Sequence, residues 1–266
     1  MGKIAECSFE ELIPKGAKII VGLSGGADSI TLLDSLHKKG YMCIAAHCNF
    51  HIRNEEANRD SKFAHSQASV RKIPFYQIDF NTNEYASIQG ISTEMAARNL
   101  RYQWFAELKM REKADYIAVA HHADDSIETF LINLSRGTGL KGLSGIKFQQ
   151  GDIIRPLLQF TRKEILEYIE EQHLTYVDDS TNFENVYLRN KFRNQVIPLL
   201  EEINPSFRQN MMQTMSHLRE AELFVSHQLS SITKRSLENG RWTISKEEVF
   251  SSPDSHFILF ETLNPL

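Results

Sequence analysis

The sequence predicts an α/β fold, a parallel sheet with helices on both faces, and three observations carry that prediction. Short β-rich runs alternate with helical patterns along most of the chain, the order that strand–helix–strand crossovers impose. The first run, KIIVG, breaks into a glycine pair, and a helical pattern follows at once. After Asn204-Pro205 the alternation ends and one long amphipathic pattern begins, so a small, mostly helical C-terminal appendage is expected beside the sheet domain.

The strands are expected at Lys18–Leu23, Met42–His47, Pro74–Phe80 and Asp115–Ala120. Helices are expected near Ser29–Lys39, Glu55–Lys72, Glu94–Arg111 and Asp125–Ser135. A further strand lies in GDIIRPLL, ahead of the helix TRKEILEYIEEQ, where Thr161 and Glu164 have the spacing of a capping box. The long helix is placed at roughly Phe207–Arg235, and the domain boundary at 204/205.

The 266 residues are 41% hydrophobic and 24% charged, the balance of an ordinary globular chain. Cys7, Cys43 and Cys48 form no CxxC pair, which argues against a disulfide framework or an all-cysteine metal site. No run of about 18 apolar residues occurs, and MGKIAECSFEEL lacks the apolar core of a signal peptide. The expected location is the cytoplasm, with no membrane partner. A net charge of −4 supplies no general basic field, so any grip on nucleic acid must come from local clusters.

Ser24-Gly25-Gly26-Ala27-Asp28-Ser29 stands where an open parallel sheet binds ligands, at the carboxyl end of a strand beside a helix amino end. Such an end offers unpaired N–H groups to phosphate, and glycines let the backbone come close. Ser24 and Ser29 add hydroxyls. A plain strand–turn–helix corner with Ser29 as N-cap is the alternative. The pattern is neither GxGxxG nor GxxxxGK[ST]. It resembles the pyrophosphate-binding loop, or PP-loop, of ATP pyrophosphatases, which cleave ATP between its α and β phosphates. By that resemblance Asp28, on the loop, helps hold a metal or the leaving group. A carboxylate beside phosphate otherwise repels it, so Mg²⁺ is expected there.

Three further segments carry chemistry-bearing residues. In AAHCNFHIRNEE, His47, His51 and Arg53 read either as zinc ligands or as polar residues lining an adenosine pocket. In STEMAARNLRYQWF, Glu94, Arg98, Arg101 and Tyr102 share a helical face, which suits either a solvated Glu94–Arg98 pair or a phosphate and base site. In VAHHADDSIET, the residues His121, His122, Asp124, Asp125 and Glu128 suit a metal or the stabilisation of a helix amino end. Downstream, VYLRNKFRNQ presents Arg189, Lys191 and Arg193 on a predicted helix, behind the acidic Asp178, Asp179 and Glu184.

Together SGGADS, the His47–Arg53 segment, STEMAARNLRY, AHHADDSIET, RGTGLKGLSGI, RPLL and DDSTNFENVYLRNKFRNQVIPLL resemble the tRNA(Ile)-lysidine synthetase family, in order, across residues 18–200. The resemblance implies a Rossmann-like, PP-loop sheet domain over 1–204 and a helical tRNA-contacting segment over 205–266. It implies ATP with Mg²⁺ as cofactor, and tRNA(Ile) with a CAU anticodon and free L-lysine as partners. A homodimer is left open. The wobble cytidine would be adenylated on its 2-carbonyl oxygen, and lysine would then displace AMP. The implied ATP site is Ser24, Gly25, Gly26, Ala27, Asp28, Ser29 and His47, with Asp28 as metal ligand. Asp28, Arg98, Arg101, Asp125 and Arg193 are the implied catalytic set, and Asp124 and Arg189 the substrate-binding pair. Asp125 is favoured to prepare the lysine amine, a task that needs a carboxylate. Arg98 or Arg101 is expected to read the cytidine, and Arg208 or Arg219 to touch tRNA phosphates. Family members generally continue into further small domains, so the closing SHFILFETLNPL reads as an interrupted one. A PP-loop tRNA thiolase shares the loop but needs cysteines for sulfur relay or a cluster. An amidotransferase-coupled ligase and a nucleotide sensor fit the paired aspartates and arginines less well.

Overall fold

The computed structural model describes residues 3–51, 54–177, 188–232, 236–238, 241–243 and 246–263. In chain order the elements begin α1 (Lys3–Glu6), β1 (Lys18–Gly22), α2 (Ala27–Lys38), β2 (Met42–Asn49), α3 (Asn54–Val70) and β3 (Phe75–Asp79). Then come α4 (Thr82–Gln89), α5 (Thr93–Glu112), β4 (Tyr116–Ala118), α6 (Ala123–Arg136), α7 (Leu140–Leu143), β5 (Gln149–Gln150), β6 (Ile153–Ile154) and α8 (Arg162–Glu171). After these follow α9 (Leu188–Lys191), a π-helical turn Phe192–Val196, α10 (Ile197–Ile203) and α11 (Phe207–Ile232). A short hairpin of β7 (Ser236–Glu238) and β8 (Arg241–Thr243) precedes α12 (Lys246–Phe250) and α13 (Ser255–Leu263). Arg53, Asp178, Asp179, Glu184 and Arg235 lie outside the described residues.

Two compact units result. The first comprises 1–126 and 146–184, the second 127–145 and 185–266. The boundary expected at 204/205 therefore falls inside the second unit. The reason is a shared core: Ile127 and Phe130 of α6 pack with Ile197 and Met215, so the residues after Ser126 join the later helices.

In the first unit the sheet order is β3-β2-β1-β4-β6-β5, all parallel except β5 against β6. β1 lies centrally, with Ile20 opposite Ile44 of β2 and Ile117 of β4. Period-two alternation sends Ile19 and Val21 to one face, packed with Leu32, Leu33 and Leu36 of α2 and Ile165 and Tyr168 of α8. Ile20 and Ile44 face the other way, against Trp104, Phe105 and Leu108 of α5. Both faces are covered, as continuous apolar strands require. The strand order reverses between β1 and β4, so the crevice at their carboxyl ends is where this architecture takes a ligand.

Candidate active site

The site starts from the turn after β1. Gly25 has φ +99°, a conformation that glycine alone adopts without strain, and an added Cβ would meet the Phe63 ring at 3.4 Å. Gly22 is small for another reason, since a Cβ there would come within 3.1 Å of the Phe105 ring. The loop is stapled from inside. Ser29 Oγ accepts from the N–H groups of Ser24 (3.2 Å) and Gly25 (3.1 Å) and donates to the Gly26 carbonyl at 2.9 Å. Ser24 Oγ accepts from the Gly26 N–H at 3.3 Å.

Ser29 is therefore not the N-cap. α2 begins two residues earlier, with Gly26 at the cap position and no side chain capping it. The N–H groups of Ala27, Asp28 and Ser29 belong to the first turn of a twelve-residue helix, which leaves an anion site of the ordinary helix-terminus kind. Asp28 likewise belongs to α2 and not to the preceding loop, and its carboxylate pairs with the guanidinium of Arg162.

Arg162 was not anticipated as part of the site. Thr161 caps α8 by accepting from the Glu164 N–H, and the capping box puts Arg162 at the first helical position. Its own N–H donates to Asp124 Oδ2 at 2.7 Å. The capping-box spacing after the last parallel strand was the available signal. Asp125 Oδ2 accepts from the His122 N–H at 2.9 Å, so this carboxylate caps the start of α6. The His122 ring sits among three carboxylates, with Nδ1 3.6 Å from Asp124 and Nε2 3.6 Å from Asp125 and 3.8 Å from Asp28.

A cavity of about 260 Å³ opens over this turn. Ser24, Asp28 and Ser29 form one wall, Arg101, Tyr102 and Phe105 of α5 another, and His121 closes the end after β4. Asp124 and Asp125 do not line it. Arg101 lies over the Phe50 ring at 5.2 Å and Arg98 over the Tyr102 ring at 5.1 Å. Of the two readings of this face, the Glu94–Arg98 pair does not form among the described residues; Glu94 and Arg98 are exposed, and Arg98, unlike Arg101, does not line the cavity.

His47 is 4% exposed and sits outside the cavity wall, its Nδ1 2.8 Å from the Leu23 carbonyl. Burial pushes its imidazole below the ordinary histidine range, against the pull of that carbonyl bond. His47 thus supports the start of the loop from below. His51 bonds Asp79 at 2.8 Å, and no cluster of three potential metal ligands occurs among the described residues.

The second unit holds the remaining candidates. Glu128 is fully buried and receives Arg193 in a two-pronged pair, at 2.6 and 3.1 Å, while Arg189 Nε lies 3.3 Å away. Arg189 also donates to Thr129 Oγ1 at 3.0 Å. Arg193 rides on the π-helical turn, whose extra residue per turn re-aims side chains. Arg208 is tied to Glu201 at 2.7 and 3.2 Å, and Arg219 donates to the Ser144 carbonyl at 3.2 Å. Arg208 and Arg219, of which one or the other is expected to touch tRNA phosphates, thus each have a partner within the fold.

The PP-loop domain family matches residues 2–200. The chain is 45% identical over 257 residues to tRNA(Ile)-lysidine synthase of Bacteroides thetaiotaomicron, covering 97% of this chain and 60% of that protein. It is 39% identical over 227 residues to tRNA(Ile)-lysidine synthase of Bacillus subtilis, covering 83% and 47%. The chain thus spans about half to three-fifths of the length of the curated relatives it matches. Among solved structures, U34-tRNA thiolase NcsA from Methanococcus maripaludis with its [4Fe-4S] cluster superposes with a TM-score of 0.67 at 20% identity, covering 82% of this chain and 77% of that one. That likeness is one of fold.

Proposed function

This chain belongs to the PP-loop family, and we propose that it is the ATP-cleaving part of a tRNA(Ile)-lysidine synthetase. One observation carries the reading. The uncapped amino end of α2, with Asp28, opens on the same cavity as Arg101 and Tyr102. Phosphates suit the free N–H groups of α2, and a phosphoryl group under attack suits the arginines.

In this reading the 2-carbonyl oxygen of the wobble cytidine in the CAU anticodon attacks the α-phosphate of ATP, and pyrophosphate leaves. The N–H groups of Ala27, Asp28 and Ser29 take up the charge that develops on the leaving group. Arg98 and Arg101 serve the α-phosphate or the cytidine. The amine of free L-lysine then attacks C2 and displaces AMP, Asp125 preparing the amine and Asp124 receiving the ammonium. Arg193 and Arg189, on the second unit, are assigned to the reaction and to tRNA, and 205–266 to tRNA contact. The donor set suits Mg²⁺: Asp28 is the one carboxylate on the cavity wall among the described residues, and Mg²⁺ takes one or two carboxylates with phosphate oxygens. Asp28 would hold it, and the ion, when bound, neutralises charge on the leaving pyrophosphate.

Sulfur transfer is not favoured. Burial pushes the thiols of Cys43 and Cys48 up to about 12, the opposite of what a sulfur relay needs. No helix among the described residues is long and apolar enough to cross a membrane, and a tRNA substrate supports a cytoplasmic location. The test is transfer of labelled lysine to a tRNA(Ile) transcript. Label should enter that transcript, and a transcript with uridine at the wobble position should stay unlabelled; equal labelling of both would end the reading.

A further inference from the structure

The amino end of the sheet, opposite the proposed active site, carries a second cavity, of about 380 Å³. That volume lies in the range of small-molecule sites. Met42, Ile44, Ile73, Pro74 and Tyr76 make much of its wall apolar. Burial pushes the Cys43 thiol, on the same wall, up to about 12, so it stays neutral. Glu112 is the one carboxylate lining this cavity among the described residues, and it is already shared. Lys18 Nζ lies 3.6 Å from it on one side, and Arg111 Nε lies 3.6 Å from it as well. The side chains of His37 and Lys72 also line the cavity, and neither has a hydrogen-bond or ion-pair partner among the described residues.

The backbone singles out Lys72 independently. It stands at φ +56°, in the left-handed region, and closes α3 as glycine usually closes a helix. Its N–H donates to the Ser69 carbonyl at 3.0 Å, and the Ile73 N–H donates to the Ala68 carbonyl at 3.0 Å. Gly40 and Gly90 take up the same conformation after α2 and α4 without strain. Lys113 and His173 share it too, outside this wall, so what distinguishes Lys72 is the strained conformation together with its place on the cavity.

We propose that this cavity binds a small organic acid, one carboxylate on an apolar or aromatic body. The ammonium of Lys72 takes the carboxylate, a ring nitrogen of His37 donates to it, and the Tyr76 ring with Met42 and Ile73 covers the body. A second negative charge would face Glu112 with no unshared cation left on the wall, which disfavours phosphate monoesters and sets this cavity apart from a nucleotide site.

The probes are 3-phenylpropionate, its uncharged counterpart 3-phenylpropan-1-ol, and phenyl phosphate, each titrated by NMR. Wild-type protein should bind the carboxylate more tightly than the alcohol or the phosphate. Lys72→Met should weaken the carboxylate about tenfold and leave the alcohol within about twofold. Lys72→Gly should weaken it likewise while Tm stays or rises, because glycine adopts the left-handed conformation freely. Met42→Trp, which fills the cavity from its exposed rim, should lose both the carboxylate and the alcohol. Wild-type protein that does not prefer the carboxylate overturns the proposal. So does a carboxylate-to-alcohol ratio unchanged in Lys72→Met or Lys72→Gly, and so does undiminished carboxylate binding in Met42→Trp. Lysine transfer to tRNA tests the active-site reading separately.

Discussion

Asp28 and Arg162 meet across the start of α2, and their pairing sets distinct expectations for each. Asp28→Ala removes the one carboxylate on the cavity wall among the described residues, so ATP–pyrophosphate exchange should fall by about 10²–10³-fold with the fold intact. Exchange at the wild-type rate would remove Asp28 from the site. Asp125 invites a different measurement, because it caps α6 through the His122 N–H and stands off the cavity wall. If it prepares lysine, Asp125→Asn should still adenylate tRNA and transfer lysine slowly. Equal loss in both half-reactions would make it a support for His122 instead. His47 is the pH probe. Its folded pKa lies below its ordinary value near 6.5, so on acidification the unfolded chain binds a proton that the native chain refuses. Its contribution is full above about pH 6.5 and is lost as pH falls through the folded pKa. His47→Gln should flatten that part of the Tm-against-pH curve, and an unchanged slope would assign it to other groups. At this scale the sequence singled out Asp28, Arg101 and the loop serines, which line one cavity. It could not identify Arg162, whose partner lies 134 residues away and is chosen by the fold.

Among the elements, α2, α8 and the residue after the end of α3 are joined by one buried carboxylate. Asp34 accepts from Arg71 at 2.9 Å and from the Tyr168 hydroxyl at 2.8 Å, and pairs with Lys38 at 2.8 Å. Burial alone would raise its pKa, but the bonds from Lys38, Tyr168 and Arg71 outweigh burial and hold it below the usual carboxylate range. Asp34→Ala leaves Arg71 without its partner and should destabilise the protein by about 3–5 kcal/mol, read as a drop in the denaturation midpoint. A loss within about 0.5 kcal/mol would mean that the three helices do not depend on it. The strands and helices that the sequence did predict lie within a few residues of their expected bounds, because Ile19, Ile20 and Val21 alternate between two apolar faces and Thr161 marks the start of α8, whereas α4 and the β7–β8 hairpin were not foreseen. The start of α2 was misplaced at Ser29 because a serine before a helical pattern imitates an N-cap, whereas Ser29 turns its hydroxyl back into the loop.

The molecule as a whole carries −4, so the proposed affinity for tRNA would have to come from particular cations and not from a general field. Lys191 is exposed at the end of α9 and is a candidate for such a contact, whereas Arg208 is held by Glu201. In salt titrations of tRNA binding, Lys191→Ala should reduce the slope of log affinity against log salt by about 0.7–0.9, and Arg208→Ala should leave it unchanged. The opposite assignment would show that the Glu201 pair opens on binding. The division into two units was the least legible feature. Ile127 and Phe130 of α6 pack with Met215, far along the chain, and an apolar helical pattern does not name its partner. The order of the half-reactions tests the central claim most directly. Pyrophosphate release from ATP should be measured with tRNA(Ile) transcript alone, with lysine alone, and with both. Pyrophosphate should be released with tRNA in the absence of lysine, and not with lysine in the absence of tRNA. Release driven by lysine without tRNA would contradict it, since the amino acid and not the cytidine would then be the group adenylated.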